Sequence, residues 1–448
     1  VFGKLGVASR AQAIVFARSS RGRVRPSLAV LAVVATLAPA SFAAAPAVAA
    51  TGATAVPAAA PATPAQVAEF RACLSTLADE AARRGIARAA FDRALADVEP
   101  DVSLLERLDR QPEFRTPIWD YLAGLVDAER VADGTAALRA HADLLAAVEQ
   151  RFGVDRHAVV AIWGVETNYG RTLGRLPLPR SLATLSCFGR RQSFFRGELL
   201  ATLRIVERDD IPLPNLVGSW AGAFGQTQFM PTTFQRLAVD FDGDGRRDVV
   251  GSVADALGST ANYLASSGWR RGEPWGYEVR LPPGLPAERI GRNGRRPLEE
   301  WSALGVRRID GAALFGPAQG AIVAPAGTAG PAWIVFRNFD AIYAYNRAES
   351  YALAIALLGD ALAGRPRVAT PWPTDDPPLS RAERRTLQVE LAARGYDVGE
   401  ADGIIGARTR EAIQDVQRRL GMEPTGRAGR KLLDALQRGE APHADPAP

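Results

Sequence analysis

The sequence predicts a mainly α protein with a small β-containing insertion, followed by a small three-helix C-terminal domain. Three observations carry this expectation. From QVAEFRACLSTLADEAARRG, which starts at Gln66, to about residue 265, apolar residues recur at three- and four-residue spacing, as helices with one buried stripe require. Between about 270 and 335 the chain turns rich in Gly and Pro and carries the short β-type runs YEVRL, GAIVAP and AWIVF. Finally, RPRVATPWPTDDPPLS at 365–380 holds five prolines and separates a last compact unit of helix, Gly-marked turns, helix, turn and short helix.

Taken in order, residues 1–45 read as a signal peptide. A basic stretch ends at Arg25, and SLAVLAVVATLAPASFAAAPAVAA then supplies an apolar core with small-residue cleavage candidates around Ala43 to Ala50. Pro39 interrupts that core, which is too short for a comfortable membrane span. No cysteine lies near the cleavage region, so a lipid-modified N-terminus is not expected. Residues 46–65 form an Ala/Pro/Thr linker. The main domain covers 66–365, a Pro-rich linker 366–379, and the C-terminal domain 380–438.

Composition narrows the function classes. A chain of 448 residues, 47% hydrophobic and 23% charged, fits a soluble globular protein of two or three domains. The formal charge is +5, but Lys4, Arg10, Arg18, Arg21, Arg23 and Arg25 all lie in the acid-free first 50 residues. Subtracting those six leaves −1. A near-neutral mature chain without recognition motifs is not expected to bind nucleic acid. His141, His157 and His443 are too scattered for a His-based zinc site. Cys73 and Cys187 could pair in an oxidising compartment or remain two buried thiols, and the sequence leaves both open.

The one chemically suspicious group lies in AIWGVETNYG, residues 161–170. Asp155 is a good N-cap for a helix beginning at Arg156. Counting from there, Val159, Ile162, Trp163 and Glu166 fall at i, i+3, i+4 and i+7, which puts Glu166 on the apolar stripe. An inward glutamate holds its proton more tightly because burial penalises the charged form, as a general acid needs. A buried Glu paired with an Arg would give the same pattern.

Companion motifs separate these readings. AIWGVETNYGR, CFGRRQSFFRGEL, GSWAGAFGQTQFMPTTF, AVDFDGDGRRDVV, ANYLASSGWRRGEPW and NFDAIYAYNRAESYALA follow one another over 161–354, with QPEFRTPIWDYL upstream. Together they resemble the lytic murein transglycosylase B family, periplasmic enzymes that cleave peptidoglycan glycan strands, and the resemblance spans about 66–365. It implies a lysozyme-like α-rich catalytic domain. It also implies Glu166 as sole catalytic acid and base, cutting between N-acetylmuramic acid and N-acetylglucosamine and closing a 1,6-anhydro ring. A hydrolytic muramidase and a non-catalytic wall-binding protein are the alternatives.

The same resemblance implies Ser219, Gln228, Arg190, Arg191, Asn338 and Tyr345 as cleft residues, the two arginines meeting the lactyl carboxylate or stem peptide. Tyr169, Phe229 and Tyr263 are candidate sugar-stacking faces, although aromatics at helical spacing equally form core. Phe224 stands where many relatives have Met. No cofactor is required. In DFDGDGRRD, Asp240, Asp242, Asp244, the Arg246 carbonyl and Asp248 take EF-hand positions, but Gly251 replaces the bidentate Glu. That leaves either a weak calcium site over 240–251 or only a tight acidic turn. The C-terminal LQVELAARGYDVGEADGIIGARTREAIQDVQRRLG resembles peptidoglycan-binding type 1 domains, with Gly395, Asp402, Gly403, Gly406 and Thr409 marking its turns and helix start. The expected partners are peptidoglycan glycan strands, with other cell-wall enzymes as further partners, and the expected state is a periplasmic monomer.

Overall fold

The computed structural model describes residues 62–109 and 116–440. The expected signal peptide, most of the first linker and the QPEFR part of the upstream motif lie outside the described residues.

The helices up to the sheet are α1 (Pro64–Arg83), α2 (Arg88–Leu95), α3 (Ser103–Asp109), α4 (Ile118–Ala123), α5 (Ala128–Ala140), α6 (Ala142–Phe152), α7 (Arg156–Thr167), α8 (Leu178–Cys187), α9 (Gln192–Arg208), α10 (Pro231–Leu237) and α11 (Val253–Ser266). Their starts follow local chemistry. Thr63 and Gln66 form a capping box ahead of Pro64, and Asp155 accepts the His157 N–H at the head of α7. β1 (Leu176–Pro177) and β2 (Val217–Gly218) form a two-stranded ribbon.

The insertion is an antiparallel five-stranded sheet of β3 (Gly276–Arg280), β4 (Arg296–Pro297), β5 (Arg307–Arg308), β6 (Gln319–Val323) and β7 (Ala332–Val335), in the order β4-β6-β7-β3-β5. With α12 (Leu298–Ala303) it closes over its own core, in which Trp301 and Ile334 are fully buried. The chain then re-enters the helical body through α13 (Arg337–Asn346) and α14 (Glu349–Leu362). The last unit, α15 (Arg381–Ala393), α16 (Ala407–Arg419) and α17 (Arg430–Gln437), gathers around Leu387, Leu391, Ile413 and Val416.

The α7 helix sits at the centre. Every residue from Ala158 to Thr167 is buried, so it has no wet face over that span and behaves as a core helix rather than an amphipathic one. It packs against α5, α11 and α14. The two cysteines do pair: Cys73 of α1 and Cys187, the last residue of α8, form a disulfide.

The Pro-rich linker is seated on the main domain. Glu278 accepts the N–H groups of Ala369 (2.7 Å) and Thr370 (2.8 Å). Trp372 lies against Trp119 and Trp333, with ring centroids 6.3 and 6.1 Å away.

Candidate active site

Glu166 lies in the last turn of α7 and is 2% exposed. Its Oε1 accepts a hydrogen bond of 2.8 Å from the hydroxyl of Tyr351, itself buried on α14. The Tyr351 ring stacks on Tyr345 of α13 at 6.3 Å and 9°. Tyr345 donates to the Thr227 carbonyl (2.7 Å), and Tyr263 of α11 lies 4.6 Å from Tyr345 and donates to the Ala344 carbonyl (2.7 Å). Phe229 closes the cluster at 6.0 Å from both Tyr263 and Tyr345.

The electrostatics of the phenols follow from this packing. Burial, and then the nearby Glu166 carboxylate, push the Tyr345 and Tyr351 hydroxyls well above the ordinary phenol range. Both therefore stay neutral donors at any physiological pH and cannot act as bases. Other buried carboxylates are held elsewhere: Glu198 by Thr232, Asp255 by backbone N–H groups of the acidic loop, and Asp120 by Arg427.

The loop beside the glutamate is fixed by hydrogen bonds in series. Thr167 Oγ1 donates to the Gln226 carbonyl (2.5 Å) and accepts the Gly170 N–H (3.0 Å), tying the end of α7 to residues 225–229. Gln228 holds a positive φ of 55°, and its side-chain amide donates to the carbonyls of Gly225 (3.0 Å) and Leu173 (3.1 Å). Ser219 is half-buried, and its Oγ accepts the Ala223 N–H at 3.0 Å.

Several expected site residues have other roles here. Tyr169 is a wedge rather than a stacking face: its ring fills the space where Cβ atoms on Gly134 and Gly164 would lie, and its hydroxyl donates to the Arg130 carbonyl (2.7 Å). Phe229 is 1% exposed and offers no face to a sugar. Tyr263 is half-buried, with its ring between Phe229 and Tyr345. Asn338 is fully buried, and its amide clasps the backbone of Arg270 and Glu273. The better candidate in that motif is Asn346, next to Tyr345. It is 2% exposed and neither side-chain atom has a hydrogen-bond partner among the described residues. A buried amide left in this state is costly unless a ligand completes it.

Arg190 and Arg191 follow the disulfide-anchored end of α8. Arg190 is exposed and donates to the Leu108 carbonyl. Arg191 has φ 67° and lies 4.5 Å over the Phe194 ring; its Nη1 is buried without a hydrogen-bond partner among the described residues.

The acidic loop brings carboxylate oxygens of Asp240, Asp242 and Asp244 within 4.8 Å of one another, a donor set suited to a hard cation. Asp248 is turned inward instead, accepting the N–H groups of Val250 (2.9 Å) and Gly251 (2.8 Å), and Arg246 reaches Asp209. A Cβ at Gly251 would lie 2.5 Å from the Asp248 carboxylate, which would have to shift to admit a side chain there. For this loop the residue the sequence reading missed is Asp255. It is fully buried on α11 and accepts the N–H groups of Phe241 (2.7 Å) and Asp248 (2.7 Å), which ties both ends of the loop to α11.

Comparison with known proteins agrees with this geometry. Residues 69–360 match the transglycosylase SLT domain family, and residues 380–436 match a peptidoglycan binding domain family. The chain is 33% identical over 296 residues to the membrane-bound lytic murein transglycosylase B of Escherichia coli (strain K12), spanning 63% of this chain and 80% of that protein. Among solved structures, SltB3 from Pseudomonas aeruginosa in complex with NAG-anhNAM-pentapeptide is 48% identical, covering 82% of this chain and 99% of that one with a TM-score of 0.67. The Escherichia coli lytic transglycosylase Slt35 in complex with calcium is 31% identical, covering 66% and 92%, with a TM-score of 0.57. The central buried glutamate, the helices around it and these matches lead to one assignment: the chain belongs to the SLT-domain transglycosylase family.

Proposed function

We propose that this protein is a peptidoglycan lytic transglycosylase that cleaves the β-1,4 bond between N-acetylmuramic acid and N-acetylglucosamine without water, with Glu166 as both acid and base. The observation that carries this reading is the buried Glu166 at the end of the central helix, held at Oε1 by a buried tyrosine hydroxyl among neutral phenols.

Protonated Glu166 donates to the bridging oxygen as the C1–O bond breaks, and positive charge develops on the muramic ring. The carboxylate so formed then takes the proton of the muramic C6 hydroxyl, whose oxygen bonds to C1. The products are a 1,6-anhydro ring and a free 4-hydroxyl on the leaving sugar, with Glu166 again protonated. Because the nucleophile is intramolecular, no second carboxylate is needed. Tyr351 fixes the rotamer of Glu166 and donates to its anionic form. The unpartnered amide of Asn346 and the Nη1 of Arg191 are groups a polar substrate would complete, with Arg191 and Arg190 suited to the lactyl carboxylate or stem peptide. Calcium bound at Asp240, Asp242 and Asp244 would brace the loop and take no part in the chemistry.

The C-terminal domain supplies a second hold on the wall. Export through the residue 1–45 leader, a periplasmic location, a monomeric state and contact with other cell-wall enzymes complete the proposal. No helix among the described residues is long and apolar enough to cross a membrane. The test is mass analysis of fragments released from purified sacculi. Wild type should yield anhydro-muramic ends and Glu166→Gln none. Reducing ends would mean a hydrolase, and unchanged cleavage by Glu166→Gln would remove Glu166 from the mechanism.

A further inference from the structure

The contact between the C-terminal domain and the catalytic body is ionic and one-sided. Arg381, Arg384, Arg385 and Arg427 come from the C-terminal unit, and Asp120, Asp127 and Glu129 from the α4–α5 region. Arg427 forms two hydrogen bonds to the Asp120 carboxylate, at 2.6 and 2.9 Å. Arg384 donates to the Asp120 backbone carbonyl at 2.6 Å, with its guanidinium where a Cβ on Gly124 would stand.

Arg381 is largely buried at this contact. It pairs with Glu129 at 3.2 Å, and its Nε faces the Asp127 carboxylate at 3.8 Å, with side chains 16% and 2% exposed in that second pair. Asp127 caps α5 by accepting the Arg130 N–H (2.8 Å), and the buried Arg130 guanidinium donates to the Gly164 carbonyl of α7 at 3.0 Å. Arg381 also donates directly to the Asn168 side-chain oxygen (3.3 Å), the left-handed residue that ends α7. It therefore touches the end of the catalytic helix directly at Asn168, two residues after Glu166, and reaches Gly164, two residues before it, only through the Asp127 ion pair and Arg130. Two of the contacts around the Glu166 turn thus lead back to one side chain of the wall-binding domain, beside those made by Tyr351 and Thr167.

We propose that Arg381 is a positioning residue for catalysis: through Asn168, and through Asp127 and Arg130, the C-terminal domain holds the last turn of α7 and so the aim of Glu166. The inference rests on the assignment of Glu166 as the reacting group. It predicts that disturbing this clasp lowers the chemical rate and not only the affinity for the wall.

The experiment uses the full chain and two substrates, a soluble four-sugar glycan fragment and insoluble sacculi. Arg381→Ala should lower kcat about tenfold on both, with KM changed less than about twofold. Arg381→Lys, which keeps the charge but not the planar fork, should recover part of that loss. Arg438→Ala, on an exposed ion pair in the same domain, is the control and should match wild type. Hydrogen exchange at residues 164–170 should quicken in Arg381→Ala while that of α8 stays unchanged.

An unchanged kcat, or a rise in KM on sacculi alone, would overturn the proposal and leave Arg381 as a wall-affinity or docking residue. Uniformly faster exchange would also overturn it, as general loss of stability. Because each variant is read as a ratio to wild type whichever product forms, this outcome is separable from whether the products are anhydro ends.

Discussion

The Tyr351 hydroxyl offers the most direct test of how the Glu166 carboxylate is controlled. Tyr351→Phe removes one oxygen and keeps the ring that stacks on Tyr345 at 6.3 Å, so the packing of α13 on α14 should survive. What is lost is a 2.8 Å hydrogen bond to Glu166 between two buried partners. The bond matters most when Glu166 is ionised, and the carboxylate becomes ionised as it gives its proton to the leaving oxygen. The interaction is thus stronger in the transition state than in the ground state, which places its effect in kcat. A hydrogen bond to a charged group is worth about 1.5–3 kcal/mol. At about 1.4 kcal/mol per tenfold, that corresponds to a fall in kcat of about 10- to 150-fold. The assay is the rate of release of anhydro-ended fragments from a soluble glycan, with circular dichroism to check the fold. Tyr345→Phe, whose hydroxyl donates to the Thr227 carbonyl, should show its effect mainly as a lower melting temperature. A folded Tyr351→Phe protein with kcat within about threefold of wild type would refute the reasoning, because the donor would then contribute too little for a charged partner.

Two further outcomes concern the scaffold. Burial raises the pKa of Glu198, although its bonds to the Thr232 N–H and hydroxyl oppose the shift. A carboxyl with its folded pKa above the unfolded value adds stability below the unfolded value, and that addition is lost as pH rises through the folded pKa. Wild type should therefore be most stable relative to Glu198→Gln in acid, with the advantage declining upward from the ordinary carboxylate range; a melting-temperature difference that grows with pH would contradict this. The Cys73–Cys187 bridge closes a loop of sequence separation 114, so replacing both cysteines by Ser should cost about 2–5 kcal/mol in denaturant unfolding, and a change under about 1 kcal/mol would show the crosslink to be redundant.

How far the sequence reaches can be judged residue by residue. The Asp155 cap and the start of α7 are legible because they depend on neighbours within one turn. Burial of that whole helix is not, since periodicity over twelve residues cannot tell a stripe against one partner from contact with several. Motif matching points to Asn338 at the start of α13, whose amide serves the backbone of a loop 68 residues away in sequence. It gives no sign of Asn346 at the other end of that helix, whose buried amide is unbonded among the described residues. Tyr351 is hidden for a related reason: in ESYALAIALLGDAL it reads as one more core aromatic, and only its distance to Glu166 shows that its oxygen is in use. Asp255 escaped because the aspartates of the acidic loop dominate the pattern, while the carboxylate that fixes the loop stands outside it on α11.

The Pro-rich linker shows what composition alone leaves open. Five prolines suggest a semi-rigid spacer, which would let the wall-binding domain sample many positions. Instead, two consecutive N–H groups bind Glu278, and Trp372 lies between Trp119 and Trp333, so the strap is pinned to the sheet and to α4 before it reaches the C-terminal unit. Asp376 then binds Arg427, which also holds Asp120 on α4, so one aspartate of the linker and one of the catalytic body share a single guanidinium. Ion pairs between exposed side chains would add little. Asp120 is nearly buried, however, and removal of one partner would leave a charge in a poorly hydrated place, which is costly. The strap fixes distance, the arginines fix orientation, and Arg381 carries that orientation to both sides of Glu166. A domain whose resemblance and linker suggest a tethered wall anchor is, by its contacts, docked on the α4–α5 region and on the end of the catalytic helix.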